Sequence, residues 1–527
     1  MGSMDRSETA MSLTARLLAV VLLNLVLAGC AGQAPPPVPS ERIPAEQSAF
    51  GRSVLEQAHG HPGQSGFRLL PDSGEAFRAR AELIRNARTS LDIQYYIVHD
   101  GLSTRTLMRE LLDAADRGVR VRILLDDTAS DDLEGLLETV ASHPDIEVRL
   151  FNPTHLGRGT GVTRGFGRLL DLSQQHRRMH NKVWIADDSA AIVGGRNLGD
   201  EYFDAKPNLN FTDIDLLGFG PVARDLGYSF DQYWNHRLSR PLGELSDVPA
   251  ARQVLPGFRE RLDASLRKAS VKQKALYDRL MSYRDAPRLS TWRQELIWAP
   301  STVMWDAPAK ILSSGEPDPH LLLTTQLAPE LLNVHQELLL ISAYFVPREP
   351  GLLYLTSRAD EGVAVSLLTN SLEATDVPAV HGGYAPYRKA LLEHGVRLFE
   401  LRRQPGDDAG FSYRLHGSSA SSLHSKAMVL DKRKVFIGSF NFDPRSVLWN
   451  TEVGVLVDSE ELAGYTRELA LQGMSSALSY QVELNDNELE WVTEDDHRVH
   501  VLKREPGDWW RRLNAWVSQR IGLEKLL

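Results

Sequence analysis

The chain has 527 residues, of which 42% are hydrophobic and 24% are charged, and its formal net charge is −10. This composition excludes a wholly disordered chain, and the length suggests about three domains or two large ones. The acidic balance argues against a general nucleic-acid-binding protein, which usually carries an excess of basic residues. The single cysteine excludes an intramolecular disulfide, a thiolate zinc cluster and a CxxC redox pair.

The amino terminus has the pattern of an exported lipoprotein. An apolar run at residues 17–27 ends in Leu27-Ala28-Gly29-Cys30, which resembles the lipobox of bacterial lipoproteins. The run is too short to span a bilayer comfortably and is typical of a signal peptide. We therefore expect a signal peptide at 1–29, a lipidated Cys30 and a Pro-rich spacer at 30–69. This predicts a lipid-anchored protein of the bacterial cell envelope that faces the periplasm; an uncleaved anchor with an incidental thiol is the alternative.

The rest of the chain contains a long internal repeat. Residues 115–121 (ADRGVRV) match residues 359–365 (ADEGVAV), and VRLF at 148–151 recurs at 396–399. Two repeats of this length predict two fused copies of one domain rather than a solenoid. Short apolar strands alternate with helical stretches, which predicts α/β copies with a mostly parallel sheet flanked by helices. We place the copies at 70–240 and 320–480, with a partly helical connector at 241–319 and a C-terminal extension at 481–527.

One set of polar residues recurs in both copies with identical spacing. The set consists of a histidine, a lysine, an aspartate and an asparagine: His180, Lys182, Asp187 and Asn197, then His424, Lys426, Asp431 and Asn441. Residues i and i+2 of a strand point to the same face, so each histidine shares a face with its lysine. If the copies pack about a pseudo-twofold axis, the two faces meet. The collected groups suit a phosphodiester, because lysines and amides can hold its oxygens while one imidazole attacks phosphorus and the other protonates the leaving oxygen.

These residues resemble the duplicated HKD motif of the phospholipase D superfamily. The resemblance implies two pseudo-twofold-related α-β-α sandwiches, an active site at their interface, and a phosphohistidine intermediate formed without metal or cofactor. It makes His180 the expected nucleophile and His424 the general acid and then base, with the reverse assignment open. It implies structural hydrogen bonds from Asp187 and Asp431.

Phosphate binding is expected from Asn197, Ser439 and Asn441. The first copy has Gly195 where the second has Ser439, so one hydroxyl contact to phosphate is expected to be missing there. Family members also orient each histidine with a downstream carboxylate. The candidates are Glu452 in the second copy and Asp213 or Asp215 in the first, and ordinary strand-end solvation is the alternative for these acids.

Longer strings narrow the resemblance to one group within the superfamily. Residues 179–203, 369–401 and 424–454 look like the bacterial cardiolipin synthases, specifically the C-type. The resemblance implies transfer of a phosphatidyl group, from phosphatidylethanolamine or phosphatidylglycerol, to the glycerol hydroxyl of phosphatidylglycerol. The partners are then phospholipids and a membrane surface, with no nucleic acid, and the sequence indicates no particular protein partner. A phospholipase D that releases phosphatidic acid, and an exported HKD-family nuclease, are the alternatives.

Three further features carry weaker predictions. Residues 509–521 predict an amphipathic helix with tryptophans and arginines, which suits either a bilayer interface or docking on its own domain. The Gly-rich basic loop at 157–168 suits an anionic headgroup or a plain surface loop. His381 is expected to be a satisfied loop histidine rather than a headgroup contact.

Overall fold

The computed structural model describes residues 38–127, 133–153, 177–206, 209–246, 248–404, 421–495 and 497–520. The predicted signal peptide, Cys30, residues 31–37 of the predicted spacer and the basic loop at 157–168 lie outside the described residues. The prediction of a spacer up to residue 69 is wrong, because the helix Ala49–His59 and most of the strand Ser65–Leu70 lie in that stretch, and the strand pairs within the first sheet. No helix in the described part of the chain is long and apolar enough to cross a membrane.

The first copy is built on a nine-stranded sheet. Its strands are β1 (Ser65–Leu70), β2 (Ser90–Tyr95), β3 (Arg120–Asp126), β4 (Ile146–Phe151), β5 (Val183–Ala186), β6 (Ala190–Gly194), β8 (Asp215–Phe219), β9 (Ser239–Pro241) and β10 (Ile297–Ala299). Their order in the sheet is β10-β1-β8-β6-β5-β2-β3-β4-β9. Residues of β2, β5 and β6 are buried throughout, as expected for central strands covered on both faces.

The second copy is built on a ten-stranded sheet. Its strands are β11 (Ser301–Trp305), β12 (Glu337–Ser342), β13 (Ala364–Asn370), β14 (Arg397–Leu401), β16 (Lys426–Leu430), β17 (Lys434–Gly438), β18 (Val453–Asp458), β19 (Ser479–Asn485), β20 (Glu488–Asp495) and β21 (Arg498–Leu502). Their order is β11-β18-β17-β16-β12-β13-β14-β19-β20-β21. The two remaining strands of the described residues, β7 (Asn210–Thr212) and β15 (Ser421–Leu423), pair with each other.

The prediction of two α/β copies is confirmed, but the prediction that parallel pairing prevails is wrong. Only β2-β3-β4 in the first sheet and β12-β13-β14 in the second pair in parallel. β5 and β16, the strands that follow the two histidines, run antiparallel to β2 and β12. The reason lies in the connections: β5–β6 and β16–β17 are joined by tight turns, which link only antiparallel neighbours. The histidines were expected inside these strands, but β5 begins after Lys182 and β16 begins at Lys426.

Helices cover the sheets and fill the space between them. They are α1 (Ala49–His59), α2 (Ser73–Asn86), α3 (Leu102–Asp116), α4 (Glu134–Ala141), α5 (Pro221–Trp234), α6 (Ala251–Lys272), α7 (Lys274–Asp285), α8 (Leu289–Gln294), α9 (Leu323–Leu332), α10 (Arg348–Asp360), α11 (Pro378–Tyr384), α12 (Arg388–Glu393), α13 (Glu460–Gly473) and α14 (Trp509–Arg520). Apolar residues of α5 and α13 join both sheets in one hydrophobic core that lies between the copies. Each copy also has a core on its outer side, which α2, α3 and α6 close in the first copy.

The connector and the C-terminal extension complete the sheets. β10 adds an edge strand to the first sheet and β11 adds one to the second. α6 and α7 pack on the first copy, where Arg109 contacts Asp263 and Arg284 contacts Glu110. The extension continues the second sheet through β19, β20 and β21.

Candidate active site

Backbone pairing across the copies holds both candidate histidines. β7 and β15 pair in parallel, with Thr212 opposite Leu423, the residue before His424. The His424 amide donates to the Thr212 carbonyl at 2.8 Å, and the His180 amide donates to the Thr451 carbonyl at 2.9 Å. Each histidine is therefore anchored to the opposite copy, and the two motifs meet at the interface between the copies.

The carboxylate beside each histidine also comes from the opposite copy. Nδ1 of His180 lies 2.9 Å from Oε2 of Glu452, and Nδ1 of His424 lies 2.7 Å from Oδ2 of Asp213. The expected assignment of each acid to the histidine of its own copy is therefore wrong. The backbone explains the exchange: Thr451 and Thr212 each bind the opposite histidine, so the next residue along the chain faces that same imidazole.

Asp215, the other candidate of the first copy, lies in a buried ion pair instead. Its Oδ2 accepts a hydrogen bond from Arg80 at 2.8 Å and lies 3.3 Å from Arg196. The side chains of these three residues are at most 2% exposed. Breaking one partner of such a pair would leave an uncompensated buried charge, so this cluster stabilises the fold rather than orienting His180.

Each lysine reaches back to its own histidine. Nζ of Lys182 donates to the His180 carbonyl at 2.6 Å. Nζ of Lys426 lies 3.0 Å from Nδ1 of His424 and also donates to its carbonyl. Burial lowers the pKa of both lysines, against the raising effect of the carboxylates of Glu452 and Asp213.

The pKa values of the two carboxylates shift in opposite directions, whereas those of both histidines are lowered. Burial lowers the pKa of His424 to about 4, with Lys426 acting in the same direction and Asp213 opposing it. Burial, Lys182 and Lys426 lower the pKa of His180 well below its usual value. Burial works against ionisation of Asp213, but the hydrogen bond and charge of His424 hold its pKa below the usual range. Burial instead raises the pKa of Glu452.

The two motif aspartates hold backbone turns. The Asp187 carboxylate accepts hydrogen bonds from the amides of Arg88, Thr89 and Ser90, with distances from 2.9 to 3.1 Å. The Asp431 carboxylate accepts from the amides of residues 335–337, with distances from 2.7 to 3.1 Å. Both aspartates have a left-handed backbone, with φ of 50° and 51°. The same set of carboxylate–amide hydrogen bonds lies at the start of β2 and at the start of β12. This agrees with the structural role expected for the two aspartates from the sequence.

The position that differs between the motifs lies beside the carboxylates. The Ser439 hydroxyl donates to Oε2 of Glu452 and accepts from the Val453 amide at 3.0 Å, so it is engaged with the carboxylate rather than free for phosphate. At the matching position, a Cβ added to Gly195 would lie 2.3 Å from Oδ1 of Asp213. Gly195 therefore makes room for the acid, which is a different role from the missing phosphate contact predicted for it.

The two asparagines have different surroundings. Asn197 accepts from the Ile97 amide at 3.3 Å and donates to the Tyr202 hydroxyl at 2.9 Å. Oδ1 of Asn441 is buried and has no hydrogen-bond partner in the described part of the chain. Oδ1 of Asn441 is an acceptor, so it suits a hydroxyl or amine donor of a ligand rather than a phosphate oxygen.

Aromatic rings lie beside both histidines, and the sequence did not predict them there. Tyr96 meets His180 edge-on, with ring centroids 5.0 Å apart, and Nζ of Lys182 lies 5.5 Å from the Tyr96 ring. Tyr202 and Phe211 contact His424 at 5.3 and 5.2 Å between ring centroids. The usable signal for Tyr96 is its place directly after β2, inside the repeat.

A cluster of polar residues around Glu452 was also not predicted from the sequence. The Glu452 amide donates to Oδ2 of Asp306 at 2.8 Å, and Asp306 lies 2.9 Å from Nζ of Lys310. The Ser446 hydroxyl donates to Oε1 of Glu452 at 2.7 Å. Burial raises the pKa of Asp306 to about 6. Asp306 and Lys310 come from the connector, where no motif marks them, and they reach Glu452 only through the fold.

His381 is a satisfied histidine, as the sequence analysis favoured. Its Nε2 lies 2.6 Å from Oε1 of Glu505, and Arg388 donates to both Glu400 and Glu505. His381, Glu400 and Glu505 could also hold a metal ion by distance alone. The Arg388 guanidinium already supplies the positive charge between these acids, so their donor set does not fit a cation.

Comparison with known proteins agrees with this geometry. A family model described as "Cardiolipin synthase, PLD-like domain" matches residues 81–234 and 327–470. The chain is 38% identical over 478 residues to cardiolipin synthase C of Escherichia coli K12, covering 90% of this chain and 99% of that protein. It is 25% identical over 439 residues to cardiolipin synthase A of Pseudomonas entomophila, covering 82% of this chain and 72% of the relative.

One solved structure has the same fold over nearly its full length. The phosphatidylserine synthase of Haemophilus influenzae Rd KW20 superposes with a TM-score of 0.54 at 13% sequence identity. The match covers 90% of this chain and 99% of that one. At this identity, the likeness shows that the two-copy architecture is shared.

Proposed function

The chain belongs to the family of phospholipase D-like cardiolipin synthases, and on that premise we propose that it makes cardiolipin by phosphatidyl transfer through a histidine. The observation that carries the proposal is the crossed pairing of His180 with Glu452 and of His424 with Asp213. Because a carboxylate engages Nδ1 of each imidazole, Nε2 is the nitrogen left to act on a phosphodiester. Lys182 and Lys426 add positive charge beside the two rings.

In the proposed first step, Nε2 of His180 attacks the phosphorus of the donor phospholipid. The bond between phosphorus and the headgroup oxygen breaks, and His424 gives its Nε2 proton to that leaving oxygen. The two lysines stabilise charge on the non-bridging oxygens. The products are a phosphatidyl-His180 intermediate and the free headgroup alcohol.

In the proposed second step, the glycerol hydroxyl of phosphatidylglycerol replaces the alcohol. Nε2 of His424 takes the proton of this hydroxyl while its oxygen attacks phosphorus, and the phosphorus–nitrogen bond to His180 breaks. Cardiolipin leaves, His180 is neutral again and His424 is protonated again. If water takes the place of the glycerol hydroxyl, the same residues release phosphatidic acid.

The unlike carboxylates support the assignment of His180 as nucleophile. A nucleophilic imidazole must be neutral, whereas a general acid must hold a proton. Asp213, with its lowered pKa, carries a negative charge that favours a proton on His424, against burial and Lys426, which hold the pKa of His424 at about 4. Burial raises the pKa of Glu452, so the carboxylate beside His180 is less readily ionised than Asp213, whereas Lys182 and Lys426 disfavour a proton on both histidines. The two histidines are coupled, so their roles are best tested together.

The experiment is to incubate the purified full chain with vesicles of labelled phosphatidylglycerol, with and without phosphatidylethanolamine, and to resolve the lipid products. We expect cardiolipin, mainly when both lipids are present. His180→Ala should abolish it, whereas His394→Ala, at an exposed histidine paired with Asp360, should not. Phosphatidic acid without cardiolipin would indicate a hydrolase, and turnover of DNA but of neither lipid would favour the nuclease.

We further propose that Cys30 carries a lipid anchor and that the protein faces the periplasm. The support is the sequence alone: the lipobox-like tetrapeptide and the Pro-rich stretch at residues 32–39. Mass spectrometry of the membrane-extracted protein tests this. We expect an acylated cysteine at the new amino terminus and none in Cys30→Ser; an intact residue 1–29 segment with a free thiol would contradict the proposal.

A further inference from the structure

Half of the exposed large hydrophobic side chains lie at the end of the chain. Sixteen such side chains occur in the described residues, and eight of them fall between residues 499 and 517: Val499, Val501, Leu502, Trp509, Trp510, Leu513, Trp516 and Val517. Trp509, Trp510 and Trp516 are 71%, 57% and 53% exposed. A concentration of this kind marks an interaction surface, because single exposed apolar residues are ordinarily scattered.

The helix that carries the tryptophans is docked by its opposite face. Ala515 and Ser518 of α14 are buried, and the Ser518 hydroxyl donates to the Ala379 carbonyl at 2.8 Å. A Cβ added to Gly382 of α11 would lie 2.4 Å from the Ala515 carbonyl oxygen, so the two helices touch through their backbones. Both expectations for this helix therefore apply in part: it docks on its own domain and leaves its aromatic face uncovered.

Helix α14 is hydrogen-bonded to the loop that follows β13, and this loop lies beside the segment that contains His424. Arg511 donates to the carbonyls of Leu372 and Thr375 at 3.1 and 2.6 Å. Asn370, at the start of this loop, bonds to both the amide and the carbonyl of Leu423 at 2.8 Å, and Leu423 precedes His424. Two hydrogen-bonded contacts, Arg511 with Leu372 and Asn370 with Leu423, thus link α14 to the residue that precedes His424.

A groove lies beside this junction. It has a volume of about 520 Å³, and its lining includes Asp376, Arg403, Trp510 and Arg511. The Asp376 carboxylate accepts a hydrogen bond from the Tyr344 hydroxyl at 2.9 Å and also acts on Lys426 electrostatically. Asp376 thus lines the groove at the start of α14 and is also close enough to Lys426 to act on its charge.

We propose that the exposed face formed by Trp509, Trp510, Leu513, Trp516 and Val517, the C-terminal aromatic face, docks the enzyme on a lipid bilayer. Docking there would bring the bilayer surface to the His424 side of the active site, which rests on the proposed function. Tryptophan rings beside guanidinium groups suit the headgroup level of a bilayer.

The charges around the aromatic face favour a bilayer over a second copy of the chain. Arg512 and Arg520 flank it, and the Arg520 guanidinium lies 5.4 Å from the Trp516 ring. Arginines attract anionic headgroups. Two copies that met through this face would instead bring like charges together, which disfavours association.

The binding experiment uses the full chain with Cys30→Ser, so that no lipid is attached there, and vesicles of phosphatidylglycerol and phosphatidylethanolamine with brominated acyl chains. Residues 1–37 contain no tryptophan, so quenching of tryptophan fluorescence does not report on the amino terminus. We expect quenching that is reduced at least about fivefold in Trp509→Ser/Trp516→Ser. The matched control Leu353→Ser/Tyr465→Ser, at exposed positions elsewhere, should quench like the parent.

Equal quenching of the tryptophan variant and its parent would overturn the proposal. The proposal would also be overturned if the parent is a dimer in solution and the tryptophan variant is a monomer. The occupant of the aromatic face would then be a second copy of the chain.

An activity measurement separates this proposal from the proposed function. We expect the tryptophan variant to lose about tenfold in turnover on vesicles and to match its parent on short-chain phospholipids below their micelle concentration. Equal losses on both substrates would contradict the docking role. If the parent turns over neither substrate, the proposed function fails, whereas the quenching result still decides the docking surface.

Discussion

The two copies place a carboxylate beside the opposite histidine by different means. The first copy uses Asp213 and leaves position 195 without a side chain, because a Cβ there would lie 2.3 Å from the carboxylate. The second copy uses Glu452 and anchors it with hydroxyl groups of Ser439 and Ser446. Aspartate is one methylene shorter than glutamate. The shorter acid, Asp213, reaches its histidine because the backbone at Gly195 comes close to it, whereas the longer acid, Glu452, is held in place by hydroxyl groups.

The two carboxylates also differ in the direction in which their pKa is shifted. Asp213 has a lowered pKa, whereas burial raises the pKa of Glu452. A duplicated domain can thus keep the same His-x-Lys segment in both copies and still shift the pKa values of its two carboxylates in opposite directions. Burial raises the pKa of Glu452 against the lowering effect of Ser439, whereas His424 and Lys426 outweigh burial at Asp213.

The largest expected effect comes from removing either imidazole. His180→Ala and His424→Ala should each lower the turnover of natural phospholipids by at least about a thousandfold, because attack and proton transfer both need a ring nitrogen. The measurement is kcat on vesicles, with His394→Ala as the control at an exposed histidine. Retained turnover in either variant would refute a two-histidine site.

Gly195→Ser should test the space beside Asp213. The new side chain would displace the carboxylate from Nδ1 of His424, and we expect kcat to fall by about a hundredfold. The matched control is Gly464→Ser, at a glycine of α13 where an added Cβ meets nothing within 4 Å. Wild-type kcat in Gly195→Ser would show that the carboxylate is not needed at that position.

Ser439→Gly should have a smaller effect, because Ser446 still binds Glu452. Loss of one hydrogen bond to the carboxylate, worth about 1.5 kcal/mol, should lower kcat by about tenfold. The effect should appear in kcat rather than in KM, since the hydroxyl contacts the carboxylate. A rise in KM at unchanged kcat would restore the role in phosphate binding that the sequence suggested for Ser439.

The smallest expected effect is on stability in acid. His424 has a folded pKa of about 4, below the ordinary value, so the unfolded chain binds the proton more readily and stability falls as the pH drops toward 4. The loss between pH 7 and pH 5 should be about 2 kcal/mol from this residue. His424→Gln should remove that share of the pH dependence, measured by denaturant unfolding at both pH values. His394→Gln serves as control, and a full acid dependence in His424→Gln would contradict the burial effect.

Much of the architecture could be predicted from local patterns. The repeat predicted two copies, and the identical motif spacing predicted that two histidines and two lysines would meet. The proportion of parallel strands could not be predicted, because alternation of strands and helices does not reveal that β5 and β16 pair antiparallel with β2 and β12. The tight turns after β5 and β16 account only for their antiparallel pairing with β6 and β17.

The partners of the histidines were beyond reach for a similar reason. Asp213 and Glu452 stand out as acids near strand starts, but their exchange between the copies depends on the pairing of β7 with β15 and of Met179 with Thr451. Asp306 and Lys310 support Glu452 from the connector, far along the chain, and no spacing rule connects them to it. Local sequence thus indicated the reacting groups, whereas the groups that orient them required the fold.

The most direct test of the account is to trap the intermediate on a defined histidine. A phosphatidyl donor with a nitrophenol leaving group needs no general acid, so in His424→Ala the first step should proceed and the second should stall for want of a base. We predict a phosphatidyl adduct on the peptide that contains His180 when the reaction is quenched and analysed by mass spectrometry. The absence of this adduct in His424→Ala, together with an adduct on His424 in His180→Ala, would contradict the assigned roles.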